Sequence, residues 1–327
     1  MRVLISIQQP VRAWQIPEAG VETLGRRFPD IEFVHAVDAD ARARALANCD
    51  VAFTWILSSA EVATARHLKW VHSSAVAVET IALKELFARG VTVTNSRGVQ
   101  SAPIAEHVFA VVLALAKQLP FILDRQRERR WAQNEVIDDR LPWLLKGRTL
   151  GLIGVGTIGS AIARLATAFG MRVLALRRRS DAGDVPYVDE MLAPGQLAAL
   201  LERTDVLVVA APLTSETYQM LGAAEFARMK RGSLVVNVGR ARIVDHVALA
   251  DTLRSRHLGG ASLDVFHAEP LPSDDPLWTL PNVILTPHTS GFRQGHWEDV
   301  VDLFSENLTR FRAGEPLRFQ VLPALGY

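Results

Sequence analysis

Leu150-Gly151-Leu152-Ile153-Gly154-Val155-Gly156-Thr157-Ile158-Gly159-Ser160 is the stretch on which the reading of the chain turns. Residues 150–153 read as a buried strand that runs straight into a G-x-G-x-x-G loop, and residues 160–169 continue as a helix. The glycine pattern alone is weak. Placed between a strand and a helix, with a second strand at the right distance, it points to dinucleotide binding. Gly154 permits the tight turn, Gly156 lets a pyrophosphate approach the backbone, and Gly159 lets helix and strand pack closely. The phosphates then meet the N–H groups at the helix start, around Thr157 and Ile158, where the dipole favours anions.

The next strand, 173–176, ends in Arg177-Arg178-Arg179-Ser180, and no acidic residue appears before Asp181. An NAD site normally has Asp or Glu here for the ribose hydroxyls. Arginines and a serine suit a 2′-phosphate instead, through charge-assisted and often bidentate hydrogen bonds. NADP is therefore expected ahead of NAD.

Further along, short apolar runs at 206–210, 234–238, 261–265 and 283–286 complete six strands with helices between them, a doubly wound nucleotide-binding sheet. The first half of the chain has the same rhythm. Runs at 3–7, 31–34, 51–54, 70–73 and 91–94 alternate with polar, amphipathic stretches such as 21–28. That alternation implies parallel strands and crossover helices. One long helix is expected over 102–130, with Pro103 near its first turn, and a C-terminal helix over 295–313 with Val300, Leu303 and Phe304 on one face. The fold class is α/β: two doubly wound parallel-sheet domains.

With 327 residues the chain is long enough for two domains, and 49% hydrophobic against 22% charged residues is a globular balance. A net charge of +1 offers no field to attract nucleic acid or an anionic membrane. The single cysteine, Cys49, excludes an internal disulfide, and there is no metal-ligand cluster. The apolar start is too short for a signal peptide, and the apolar stretch 108–116 is too short to span a bilayer. A cytoplasmic protein is expected.

Three later segments each carry one chemically active residue just past a strand: Asn237-Val238-Gly239-Arg240, Leu263-Asp264-Val265-Phe266-His267-Ala268-Glu269-Pro270 and Thr286-Pro287-His288. Ligands of open α/β sheets bind at the carboxyl ends of strands, so Arg240, Glu269 and His288 are expected to converge there. Ketone reduction needs a hydride on carbon and a proton on oxygen. Histidine titrates near neutrality and can supply the proton, and a neighbouring carboxylate orients the ring. His288 is read as the general acid/base, Glu269 as its partner, and Arg240 as the anchor of a substrate carboxylate.

With these segments the chain resembles the D-isomer-specific 2-hydroxyacid dehydrogenase family along nearly its whole length. The resemblance extends to Ala105-Glu106-His107, Ala211-Pro212-Leu213-Thr214, Glu306-Asn307-Leu308 and Gly314-Glu315-Pro316-Leu317. It implies a flavodoxin-like substrate domain made from both chain ends, 1–98 and 290–327, and a Rossmann coenzyme domain inserted at 99–289. It also implies a homodimer, and 2-keto acids such as glyoxylate or hydroxypyruvate as substrates. By the same resemblance Asp264 lies near the nicotinamide amide, and Pro212, Thr217, Val238 and Gly239 belong to the coenzyme-binding set. Backbone N–H groups of Val76 and Ala77 meet the substrate carboxylate beside Arg240 and His288. Two departures stand out: Ala77 and Ala241 occupy positions where the family usually has glycine. Trp55, Trp131, Trp143 and Trp297 are candidates for the acid's side-chain pocket, without a catalytic role. The competing reading is a dinucleotide-sensing, corepressor-like binding protein on the same fold. Formate oxidation fits less well, because it needs no proton transfer from a histidine–carboxylate pair.

Overall fold

The structure, a computed structural model, describes residues 1–7, 11–178 and 185–322. The chain divides into two compact units, Met1–Val99 with Arg293–Tyr327, and Gln100–Phe292.

In the first unit five parallel strands, β1 (Arg2–Ser6), β2 (Glu32–His35), β3 (Val51–Thr54), β4 (Trp70–Ser73) and β5 (Thr92–Asn95), lie in the order β2-β1-β3-β4-β5. Side chains alternate across the sheet with the period of two that a strand imposes. Val3, Ile5, Val51, Phe53 and Trp70 enter one apolar cluster, and Leu4, Ala52, Val71 and Val93 enter the other. Both faces are therefore buried, as parallel sheets require. The helix His296–Ala313 closes one face with Val300, Val301, Phe304 and Leu308. The Phe304 ring stacks on Phe53 at 4.3 Å and on Trp70 at 5.2 Å between centroids.

A histidine sits inside this apolar layer. His72 on β4 is 0% exposed, and its hydrogen bonds form a directed chain. Trp70 Nε1 donates to Thr94 Oγ1 at 2.8 Å, and Thr94 Oγ1 lies 2.7 Å from His72 Nδ1. On the other side His72 Nε2 lies 3.3 Å from Ser96 Oγ, whose proton goes to Ser73 O at 2.9 Å. Each hydroxyl has one proton to give, so Thr94 donates to Nδ1 and Nε2–H donates to Ser96. The network suits a neutral ring, and burial pushes the His72 pKa down to about 3.

The second unit is a seven-stranded parallel sheet, β6 (Thr149–Ile153), β7 (Arg172–Leu176), β8 (Glu190–Leu192), β9 (Val206–Val209), β10 (Leu234–Asn237), β11 (Gly260–Leu263) and β12 (Val283–Leu285). Their order is β12-β11-β10-β9-β6-β7-β8, so the direction of winding switches between β6 and β9. The edge strand β8 goes beyond the six expected. It has only three residues, and its leading Glu190 faces Arg172 and Arg203 rather than a core.

The expected helix 102–130 is two helices, Ser101–Ala116 and Leu119–Arg127, bent by 68°. Pro120 is the reason. It has no N–H to give to the carbonyl four residues earlier and its ring would collide with that group. Gln118 instead takes φ 60°, and Trp143 N–H occupies the released Ala116 carbonyl at 3.1 Å. Among the described residues no single helix is long and apolar enough to cross a membrane.

Candidate active site

Among the described residues, the candidate catalytic and coenzyme-binding residues of the second unit stand at the carboxyl ends of its strands. The β6 turn begins with Gly154 at φ 95°, and a methyl there would lie 2.7 Å from Ala211 Cα. A methyl on Gly159 would lie 2.3 Å from Gly154 O. Packing alone therefore accounts for these two glycines. Gly156 is different: nothing lies within 4 Å of where its Cβ would stand. It is the N-cap of the helix Thr157–Ala168 and makes no side-chain cap, so the N–H groups of the first turn, including Thr157 and Ile158, face a space open to a ligand. A bare cradle over a helix N-terminus fits a pyrophosphate.

Arg177 and Arg178 follow β7, the first half-buried and held by a bond from its N–H to Leu192 O at 3.3 Å, the second exposed. Arg179 and Ser180, the other members of the expected 2′-phosphate cluster, lie outside the described residues. After β9 the Pro212 carbonyl accepts the Thr217 hydroxyl at 2.8 Å, and Thr217 Oγ1 accepts Thr214 N–H at 2.8 Å. This loop is closed on itself by its own hydroxyls.

After β10, Val238 N–H bonds to Val209 O at 3.1 Å, and a Cβ on Gly239 would meet Ala211 O at 2.8 Å. The backbone that delivers Arg240 thus runs close against the loop after β9. Asn237, fully buried, shapes the turn: its Oδ1 accepts Gly239 N–H at 3.0 Å and its Nδ2 donates to Arg240 O at 3.1 Å. Arg240 is half-buried, and its Nη1 donates to Gly239 O at 3.0 Å. Ala241 is buried and has negative φ, so alanine is accommodated without strain where glycine was expected.

Beyond β11 and β12 the acid/base pair meets. His288 Nδ1 lies 2.8 Å from Glu269 Oε2, and Glu269 Oε1 accepts Phe266 N–H at 2.9 Å. The carboxylate is thus fixed at both oxygens. His288 itself is held at φ 55°, a left-handed conformation that a non-glycine residue keeps only under external constraint. Asp264, 2% exposed, supplies that constraint. Its carboxylate accepts the Thr286 hydroxyl at 2.6 Å, Thr289 N–H at 3.0 Å and Ser290 N–H at 3.1 Å. The place expected for Asp264 is beside the nicotinamide amide; its carboxylate also braces the loop that carries His288. His107, on the helix Ser101–Ala116, reaches Thr286 Oγ1 at 3.4 Å, and burial pushes its pKa down. Asn237, Thr286 and His267, treated below, had no distinguishing signal in the sequence.

Val76 and Ala77 belong to the first unit. Asn95 Nδ2 donates to Val76 O at 2.8 Å and Ser73 Oγ to Ala77 O at 3.2 Å. Among the described residues the two N–H groups have no hydrogen-bond partner, which fits a carboxylate-binding turn. Ala77 has negative φ, so its methyl does not strain the backbone.

Residues 109–290 match the family model for the D-isomer specific 2-hydroxyacid dehydrogenase, NAD binding domain. A glyoxylate reductase of Korarchaeum cryptofilum is 38% identical over 253 residues, 76% of this chain and 74% of that protein. A glyoxylate reductase of Thermococcus litoralis is 33% identical over 315 residues, 92% of each chain. Among solved structures, a D-isomer specific 2-hydroxyacid dehydrogenase from Xanthobacter autotrophicus, in complex with NADPH and MES, superposes with TM-score 0.82 at 28% identity over 99% of both chains.

Proposed function

The chain belongs to the D-isomer-specific 2-hydroxyacid dehydrogenase family, an NAD(P)-dependent enzyme family, and from that membership we propose that it reduces small 2-keto acids of the glyoxylate and hydroxypyruvate type, with NADPH as the preferred coenzyme. The observation that carries the reading is the Glu269–His288 pair at 2.8 Å, at the same sheet edge as Arg240. Bound coenzyme supplies the hydride for the keto carbon. The cradle of Gly154, Gly156 and Gly159 with the N–H groups of Thr157 and Ile158 holds its pyrophosphate, and Pro212, Thr217, Val238 and Gly239 border it.

Arg240 binds the substrate carboxylate through its planar fork and polarises the adjacent carbonyl. Val76 and Ala77, in the first unit, have N–H groups without a hydrogen-bond partner among the described residues, suited to a carboxylate. Glu269 accepts the Nδ1 proton of His288, which fixes the tautomer and directs Nε2 to the substrate oxygen. His288 gives its Nε2 proton to that oxygen as the ketone becomes an alcohol, and takes it back in the reverse direction. The NADPH preference is supported by Arg177 and Arg178 at the end of β7 and by the lack of an acidic residue before Asp181. The NADPH held by the Xanthobacter relative supports it too.

A panel of 2-keto acids, read at NADPH absorbance with wild type and His288→Ala, tests this. Turnover of a small 2-keto acid is expected, and His288→Ala should lose about 10²–10⁴-fold while still binding coenzyme. One charge-assisted bond to a 2′-phosphate gives a preference for NADPH of at least about tenfold. No turnover of any 2-keto acid with either coenzyme would sink the assignment, and equal efficiency with NADH would remove the coenzyme preference. A homodimer is part of the same proposal. Leu119, Leu123, Trp131, Ile137, Leu141 and Leu144 are exposed within one short stretch, an apolar surface of the kind a second copy covers. Light scattering that gives the mass of one chain would refute it.

A further inference from the structure

The turn that follows Arg240 presents four successive carbonyls, those of Ala241, Arg242, Ile243 and Val244. The inner two are taken by a neighbouring segment: Gln219 N–H donates to Arg242 O at 2.7 Å and Leu221 N–H to Ile243 O at 3.1 Å. The outer two each lie 3.2 Å from one atom, His267 Nε2. Both are acceptors, so Nε2 must carry a proton and share it between them.

His267 stands two residues before Glu269, and Phe266 N–H, just before it, donates to Glu269 Oε1. The imidazole therefore reaches from the segment that carries the glutamate to the turn that carries the arginine. A second histidine backs it. The His246 ring stacks on His267 with centroids 4.0 Å apart and planes at 30°. His246 opens the helix His246–Arg254, whose start is fixed by Asp245 accepting Val247 N–H and Ala248 N–H at 3.0 and 3.1 Å. Burial, reinforced by His267, pushes its pKa down to about 4, against weaker opposing influence from Asp275 and Asp245. At neutral pH it is an uncharged plate behind the bridging ring.

We propose that His267 is a positioning residue: its bifurcated hydrogen bond holds the turn bearing Arg240 in register with the segment bearing Glu269, and through Glu269 with His288. This rests on the roles given above to those three residues. The carboxylate and keto oxygen of a 2-keto acid are a fixed distance apart. A slip between the two segments then spoils the alignment of proton donor and carbonyl while leaving the coenzyme cradle untouched.

The test uses His267→Phe, which keeps a ring for the stack but has no donor, and His267→Gln, whose amide N–H replaces Nε2–H. In the full-length enzyme His267→Phe should lower kcat/KM for the keto acid roughly threefold to tenfold, with KM raised and kcat lowered. The coenzyme dissociation constant should stay unchanged, and His267→Gln should recover most of the loss. Wild-type kinetics in His267→Phe, or equal damage in both variants, would overturn the proposal. If wild type turns over no 2-keto acid, the functional assignment fails instead, and the bridge itself is read separately by nitrogen-15 NMR of wild type. A protonated Nε2 on His267 at neutral pH is expected there. A bare Nε2 would overturn the bridge whether or not either variant folds.

Discussion

Acid should destabilise the protein through His72. In the unfolded chain this residue takes up a proton near the ordinary value of about 6.5. In the folded protein its pKa is pushed down to about 3 by burial among Phe53, Trp70 and Phe304. Between those values the unfolded state binds more protons than the folded one. The contribution to stability is therefore full above about pH 6.5, is lost at about 1.4 kcal/mol per pH unit as the pH falls, and levels off below about pH 3. At about pH 5 the loss is about 2 kcal/mol. Urea unfolding of wild type and His72→Gln at about pH 7.5 and about pH 5 isolates it, because glutamine cannot titrate and the other ionisable groups are common to both proteins. His72→Gln is expected to be less stable at the higher pH, but wild type should lose about 2 kcal/mol more than the variant on acidification. Identical pH dependence in the two proteins would refute the reasoning, since it would mean that the folded state accommodates a proton on this ring.

Four further outcomes are expected. Arg240→Lys should raise KM and lower kcat for the keto acid despite its retained charge, because an ammonium cannot reproduce the guanidinium fork; unchanged kinetics would mean that the arginine does not touch substrate. Gly154→Ala should cost about 2 kcal/mol or more, from a methyl 2.7 Å from backbone at φ 95°. Gly156→Ala should leave stability nearly untouched and weaken coenzyme binding about tenfold or more, so calorimetry that finds wild-type affinity would contradict the cradle. Asp264→Asn turns an amide toward the N–H groups of Thr289 and Ser290. It should lower kcat by about tenfold, as lost bonds to a charged group imply, and kcat at the wild-type value would show that the loop of His288 holds itself.

The two sheets were legible because their strands are short, apolar and punctuated, and because 154–159 ties a strand to a helix in one motif. Arg240, Glu269 and His288 stood out because each follows such a strand at a distance that chemistry, not packing, explains. What was hidden depends on geometry that no local pattern encodes. The bend at Gln118 is the exception, because Pro120 is a local breaker inside the expected helix 102–130. The strand β8 is paid for by its neighbour β7 rather than by its own composition. Asp264 reads equally as a ligand for coenzyme or a brace for a loop until the positions of Thr286, Thr289 and Ser290 are known. His267 looks like any surface histidine until the carbonyls of Ala241 and Val244, more than twenty residues away, are brought to its ring.

The helix His296–Ala313, with Phe304 lying on Trp70 and Phe53, has a consequence for how the protein is made. The five strands of its unit precede residue 100, and Leu24 and Phe28 can cover part of the face of Val3, Ile5, Phe53 and Trp70 at once, yet the rest of its cover arrives only with Val300 to Leu308. At about 5–20 residues per second, that apolar face waits on the order of 10–40 seconds for its lid while the intervening unit is synthesised and can fold. The nascent chain is thus most exposed to wrong partners on these five strands, and a holding chaperone would find its binding site there, on the unit begun before the other and finished after it.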